Sequence, residues 1–174
     1  QDVAHLHEAS AIMAGEPAIR KVLERLKAWL DGNVGADVTV HIDRPFDVPF
    51  HDNELPCVNI RCQRVDFNNS FNYSHTLHDA AIMMDIITRS ATLQTIDQKQ
   101  SEIAADIVAR LSARTAAAGT IGEVLQDCLP VAMGAAGDEF DQSDQGESRF
   151  AWRMTFLTSN TNFRTIAGHN GDVP

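Results

Sequence analysis

The chain has 174 residues, 44% of them hydrophobic, and its 24 acidic residues outnumber 14 basic ones for a net charge of −10. That length suits one domain able to bury roughly 70% of the surface its unfolded chain exposes, and the acidic balance argues against a phosphate-gripping surface for nucleic acid. No run of about 18 apolar residues is present and the N-terminus lacks the basic and apolar regions of a secretory signal, so a soluble protein is expected.

Residues 1–15 carry scattered apolar positions, Val3, Leu6, Ile12 and Met13, and read as an N-terminal arm. From residue 16 a helix is expected. Pro17 suits its first turn, and Ile19, Val22, Leu23, Leu26, Trp29 and Leu30 recur at three- and four-residue steps until Asp31 and Gly32 stop it. Val38, Val40 and Ile42 then alternate with polar residues as a half-buried strand. Residues 44–56 hold three prolines with Phe46 and Phe50 between them, which makes a long loop. A second strand covers residues 57–65, with Val58, Ile60 and Cys62 inward and Asn59, Arg61 and Gln63 outward. Residues 66–72, holding Phe67 and Phe71, read as an Asn-rich hairpin loop ahead of Tyr73.

Residues 73–88 admit both helical and strand periods. The β-branched Ile82, Ile86 and Ile87 favour a strand from about Leu77, apolar on both faces and therefore central or at an interface. Thr95 and Gln98 are spaced as a capping box before a helix of Ile96, Ile103, Ala104, Ile107 and Leu111 that runs to about Arg114. Thr120 and Glu123 repeat that spacing before a short helical turn. Residues 129–140 give a fourth strand weakened by Gly134 and Gly137, and the acidic stretch 141–148 turns the chain into a fifth over 149–158. There Phe150, Trp152, Met154 and Phe156 alternate with Arg149, Ala151, Arg153 and Thr155, so one face is strongly apolar and needs a helical cover. Residues 161–174 read as a loosely held C-terminal tail. The fold class expected is α+β: a mainly antiparallel sheet of four to five strands with two main helices on one face, in a single domain over residues 16–160.

Candidate chemistry is thin. Cys57, Cys62 and Cys128 lack zinc-ligand spacing and read as reduced core thiols. The acidic cluster around Asp141 has Trp152 where the twelfth-position Glu of a calcium loop belongs. His75 and His78 would face opposite sides of a strand, and His5 with His7 lacks a third ligand at suitable spacing. No Gly-flanked nucleophile or phosphate-cradling loop is present. Arg149 and Arg153 share a strand face and are expected to pair with neighbouring carboxylates. No metal, cofactor or catalytic residue is assigned.

The element order, with the segments IRKVLERLKAWL, AAIMMDIITRS, QSEIAADIVARL and RFAWRMTFLTSN, resembles the tail terminator (tail completion) proteins of long-tailed bacteriophages over residues 16–160. The resemblance implies a non-enzymatic virion protein, made in the host bacterial cytoplasm. It would form a ring, usually a hexamer, at the head-proximal end of the tail tube, stopping tube polymerisation and joining tail to neck. Its implied partners are further copies of itself, the tail tube protein and a neck or head-completion protein, with genomic DNA passing through unbound and no membrane involved. On this reading the loops 44–56 and 66–73 are contact surfaces, with Phe46, Phe50, Phe67, Phe71, Tyr73, Arg149 and Arg153 as interface residues; the alternative is that these aromatics fold back onto their own core. A neck or head–tail joining ring is the neighbouring reading. A small metal-dependent enzyme built on the histidines and a monomeric binding module are readings of other classes.

Overall fold

The computed structural model describes residues 17–45, 50–68, 74–89, 93–135 and 145–173. The proposed N-terminal arm, Phe46, Phe71, Tyr73 and residues 141–144 of the expected acidic hairpin lie outside the described residues, and residues 145–148 of that hairpin belong to a strand instead.

Helix α1, Ala18–Leu30, forms where the spacing predicts it, burying Ala18, Val22, Leu23, Leu26 and Leu30 on one stripe. It ends as Gly32 takes a positive φ of 70°, a conformation that a Cβ would oppose. After β1, Thr39–Ile42, and a 3-10 turn at Asp52–Glu54 come the two long strands β2, Cys57–Asn68, and β3, His75–Arg89. Helix α2, Leu93–Ser112, and the single turn α3, Ile121–Val124, precede β4, Asp127–Ala135, and β5, Gln145–Ser159.

The ambiguous segment 73–88 is thus a strand, and a central one: β3 is hydrogen-bonded between β2 and β5, antiparallel to both. The segment read as a loosely held tail is instead part of the sheet. Residues 162–168 and 171–173 form β6, Asn162–Gly168, and β7, Gly171–Val173, making seven strands in one sheet among the described residues where four to five were expected. Ile166 anchors β6 in the core, and the His169 N–H donates to the Glu123 carbonyl, so few inward apolar groups suffice to hold this hairpin. The sheet is antiparallel except where β1 runs parallel to β2.

Both helices cover the same face. α1 lies on β1, β2 and β6, and α2 on β3 and β5. Beneath them lie Val58, Ile60, Phe150, Trp152, Met154 and Phe156, which the period of two placed inward, together with Ile82, Met84 and Ile86 of the central strand. Trp29 and Arg110 lock the helices together: the indole N–H donates to the Arg110 carbonyl at 3.1 Å, the Arg110 Nε–H donates to the Trp29 carbonyl at 3.0 Å, and the guanidinium lies 3.6 Å above the indole ring.

Three local expectations are corrected. α2 begins at Leu93, so Thr95 is inside the helix and cannot cap it. Thr120 precedes α3 but makes no cap bond; its hydroxyl donates instead to the Thr115 and Ala117 carbonyls, while the Glu123 carboxylate accepts from the Gly119 N–H at 2.7 Å and from Arg25. Asn59 does not face solvent. It is buried, its amide exchanging hydrogen bonds with the backbone N–H and C=O of Arg44 at 3.0 and 2.9 Å, which satisfies it away from water.

Candidate assembly surface

The face of the sheet away from the helices carries no element of the described fold, and charge organises it. On the central strand, Asp85 is fully buried between two arginines from its flanking strands. Arg61 of β2 donates from Nε to Oδ2 at 2.9 Å and Arg149 of β5 from Nε to Oδ1 at 2.9 Å. The register dictates this arrangement, because Asp85 lies opposite both Asn59 and Arg149, and Arg61, opposite Met83, is the next residue of β2 on the same face. Further along the same face, Arg153, opposite Ala81, holds Asp79 through both carboxylate oxygens. Arg149 and Arg153 therefore pair with carboxylates, as the sequence suggested. Glu147 stands at the margin of this lattice: Arg149 is 3.6 Å away, its Oε1 accepts no hydrogen bond, and burial together with the nearby Asp85 charge pushes its carboxyl above the usual range.

The loop after β1 closes one end of that face. Arg44 grips Glu54, with Nη2–Oε2 at 3.0 Å, and the guanidinium lies 4.3 Å above the Phe50 ring. Arg44 and the His51 N–H bring the Glu54 carboxyl down to about 2. Phe50 is half-buried, also within ring contact of His41, and so folds back on its own chain.

Phe67 belongs to β2, not to a loop. A bulge between Cys62 and Arg64 changes which residues of β2 point toward the helices, so that Val65 pairs with Ala80 and Phe67 with His78. Phe67 is 60% exposed, stacked on the exposed Phe163 of β6 at 6.0 Å between centroids. Beneath them His78 is buried, stacked on Phe156 at 4.6 Å and hydrogen-bonded through Nε2 to the Thr158 hydroxyl at 2.7 Å; burial lowers its pKa. His75, three residues earlier on the same strand, is on the opposite face.

The sheet borders complete the picture. Among the described residues β4 is held by β5 on one side only, and Leu129, Val131 and Met133 are 47%, 65% and 44% exposed along it. Sequence reasoning passed over these residues because glycines and Pro130 weaken the strand signal. Their apolar side chains were the available clue. On the opposite border, β1 pairs only with Cys57–Ile60 of β2, and the chain then departs at Asp43, whose φ is 50°. Beyond that point an open groove of about 360 Å³, lined by Ile19, Leu23, Cys62 and Val65 among others, separates α1 from β2. Burial raises the Cys57 and Cys128 thiols to about 12, in keeping with inert core residues. Among the described residues no helix is long and apolar enough to cross a membrane, and no cluster of metal-ligating side chains is found.

No family model and no curated protein matches the chain. Among solved structures, a chain from the virion of a native gene transfer agent particle aligns at 18% identity over 77% of this chain and 90% of that chain, with a TM-score of 0.43. A likeness of that looseness carries no argument about this chain.

Proposed function

We propose that this chain is a structural subunit of a phage-like virion and, within that class, the tail terminator: a ring of identical copies at the head-proximal end of the tail tube that ends tube growth and presents a surface to the neck. The observation that carries the reading is the pair of unfinished sheet borders, an exposed apolar β4 on one side and the half-unpaired β2 on the other. Exposed edges of this kind are protected or partnered in stable proteins, and two different borders on opposite sides of one sheet suit head-to-tail closure around a cyclic axis. The charged groups of the uncovered face support a non-catalytic role, since Asp85, Arg61, Arg149, Asp79 and Arg153 are engaged with one another.

The test has two readouts. Purified full-length protein is expected to form closed rings by electron microscopy and by mass in solution. Tails assembled without it are expected to be of uncontrolled length, and adding the protein back should restore a defined end. Normal tail length in its absence contradicts the terminator role.

A further inference from the structure

We infer that the subunit contact of this ring, a reading taken from the proposed function above, joins the outer edge of β4 in one copy to the free stretch Cys62–Phe67 of β2 and its adjoining groove in the next copy. Strand direction argues for it. β2, β3, β5 and β4 are successive neighbours, each antiparallel to the one before, so β4 runs opposite to β2. Copies related by rotation about an axis along the strands keep their directions, and β4 of one then meets β2 of the next antiparallel, the pairing that tolerates direct edge contact without a crossover.

The surfaces are also matched in chemistry and extent. β4 has nine residues and the unpaired stretch of β2 has six, and neither has a strand partner on that side among the described residues. β4 offers Met133, which its pairing with Phe150 places on the helix side, and Val131 at the ladder shift, while Leu129, opposite Arg153, lies on the uncovered face; across from Met133 and Val131 lies the groove floored by Ile19, Cys62 and Val65. Pro130 brings no N–H and the ladder shifts between Pro130 and Ala132, so a long uninterrupted ladder is unavailable. Insertion of the β4 side chains into the groove therefore supplies most of the contact, and the same bulge and proline deter indiscriminate edge-to-edge pairing.

The test uses full-length chains. Val131→Asp alters a side chain that is 65% exposed and should leave the thermal midpoint unchanged while weakening ring formation at least tenfold in the concentration required. Val108→Asp, on the exposed side of α2, should assemble like wild type. In a Cys62→Ser background, Gln63→Cys combined with Val131→Cys should give interchain disulfide multimers on oxidation, and neither substitution alone should. If V131D assembles normally, or the paired cysteines do not cross-link in intact rings, the contact is wrong and the ring reading stands. If the wild-type chain remains a single protomer at every concentration, both fall. Should V131D fail to fold, cross-linking alone decides in the same sense.

Discussion

Asp85 gathers most of the charge on the uncovered face, and its cost when removed is the sharpest residue-level consequence of the structure. Its carboxylate is fully buried while Arg61 and Arg149 keep part of their surface in water, so deletion strands two cations that solvent relieves only in part. Asp85→Ala is expected to lose about 2–4 kcal/mol in denaturant unfolding; a loss below about 0.5 kcal/mol would show that the lattice is ornamental to stability. His78 provides a pH signature. Its folded pKa is depressed below the ordinary 6.5 by burial, and its ring neighbours Phe67, Phe156 and Phe163 cannot titrate. Stability is therefore complete above 6.5 and falls as pH drops toward the folded pKa, because the unfolded chain takes the proton first. His41 is depressed in the same direction, so the contribution of His78 is the difference between wild type and His78→Gln. Thermal midpoints between about pH 7 and pH 5 should fall more steeply for wild type; parallel slopes would contradict the assignment.

At the scale of elements, strongly periodic pieces were legible. The stripe of α1 and the inward set of β5 follow from apolar spacing, which tertiary packing reinforces, while the segment 73–88, whose spacing admits both periods, was decided for a strand by its β-branched residues. What escaped depends on partners distant in sequence. Asn59 looks outward by alternation and is buried because Arg44 supplies both of its hydrogen bonds. Phe67 was read as a loop residue since the bulge after Cys62 leaves no local mark. β6 carries too few inward apolar residues to announce itself, and is held by Ile166 and the α3 carbonyl of Glu123. Of the candidate surface, the shared face of Arg149 and Arg153 was legible from the strand period, whereas the apolar edge of β4 was obscured by Pro130 and Gly134. The position of α3 depends on Gly122, where a Cβ would stand 2.1 Å from the Thr115 carbonyl oxygen. Since backbone cannot yield cheaply there, Gly122→Ala should cost about 2 kcal/mol or more, and an unchanged unfolding midpoint would refute that packing.

For the whole molecule, a sheet covered on one face by two helices leaves one face and two borders uncovered by any other element among the described residues. The uncovered face is held by ion pairs across β2, β3 and β5, which order it without making it apolar. Exposed apolar side chains lie along the β4 border and at Phe67 of β2, and on the proposed ring reading closing the borders between copies would remove both at once. A net charge of −10 per copy would make such a ring repel a passing DNA duplex, in keeping with a conduit that does not bind its contents. The most direct measurement is the mass and image of the purified full-length chain across a range of concentrations. Closed rings of a fixed copy number are the expected result, and a lone protomer at every concentration would contradict the account.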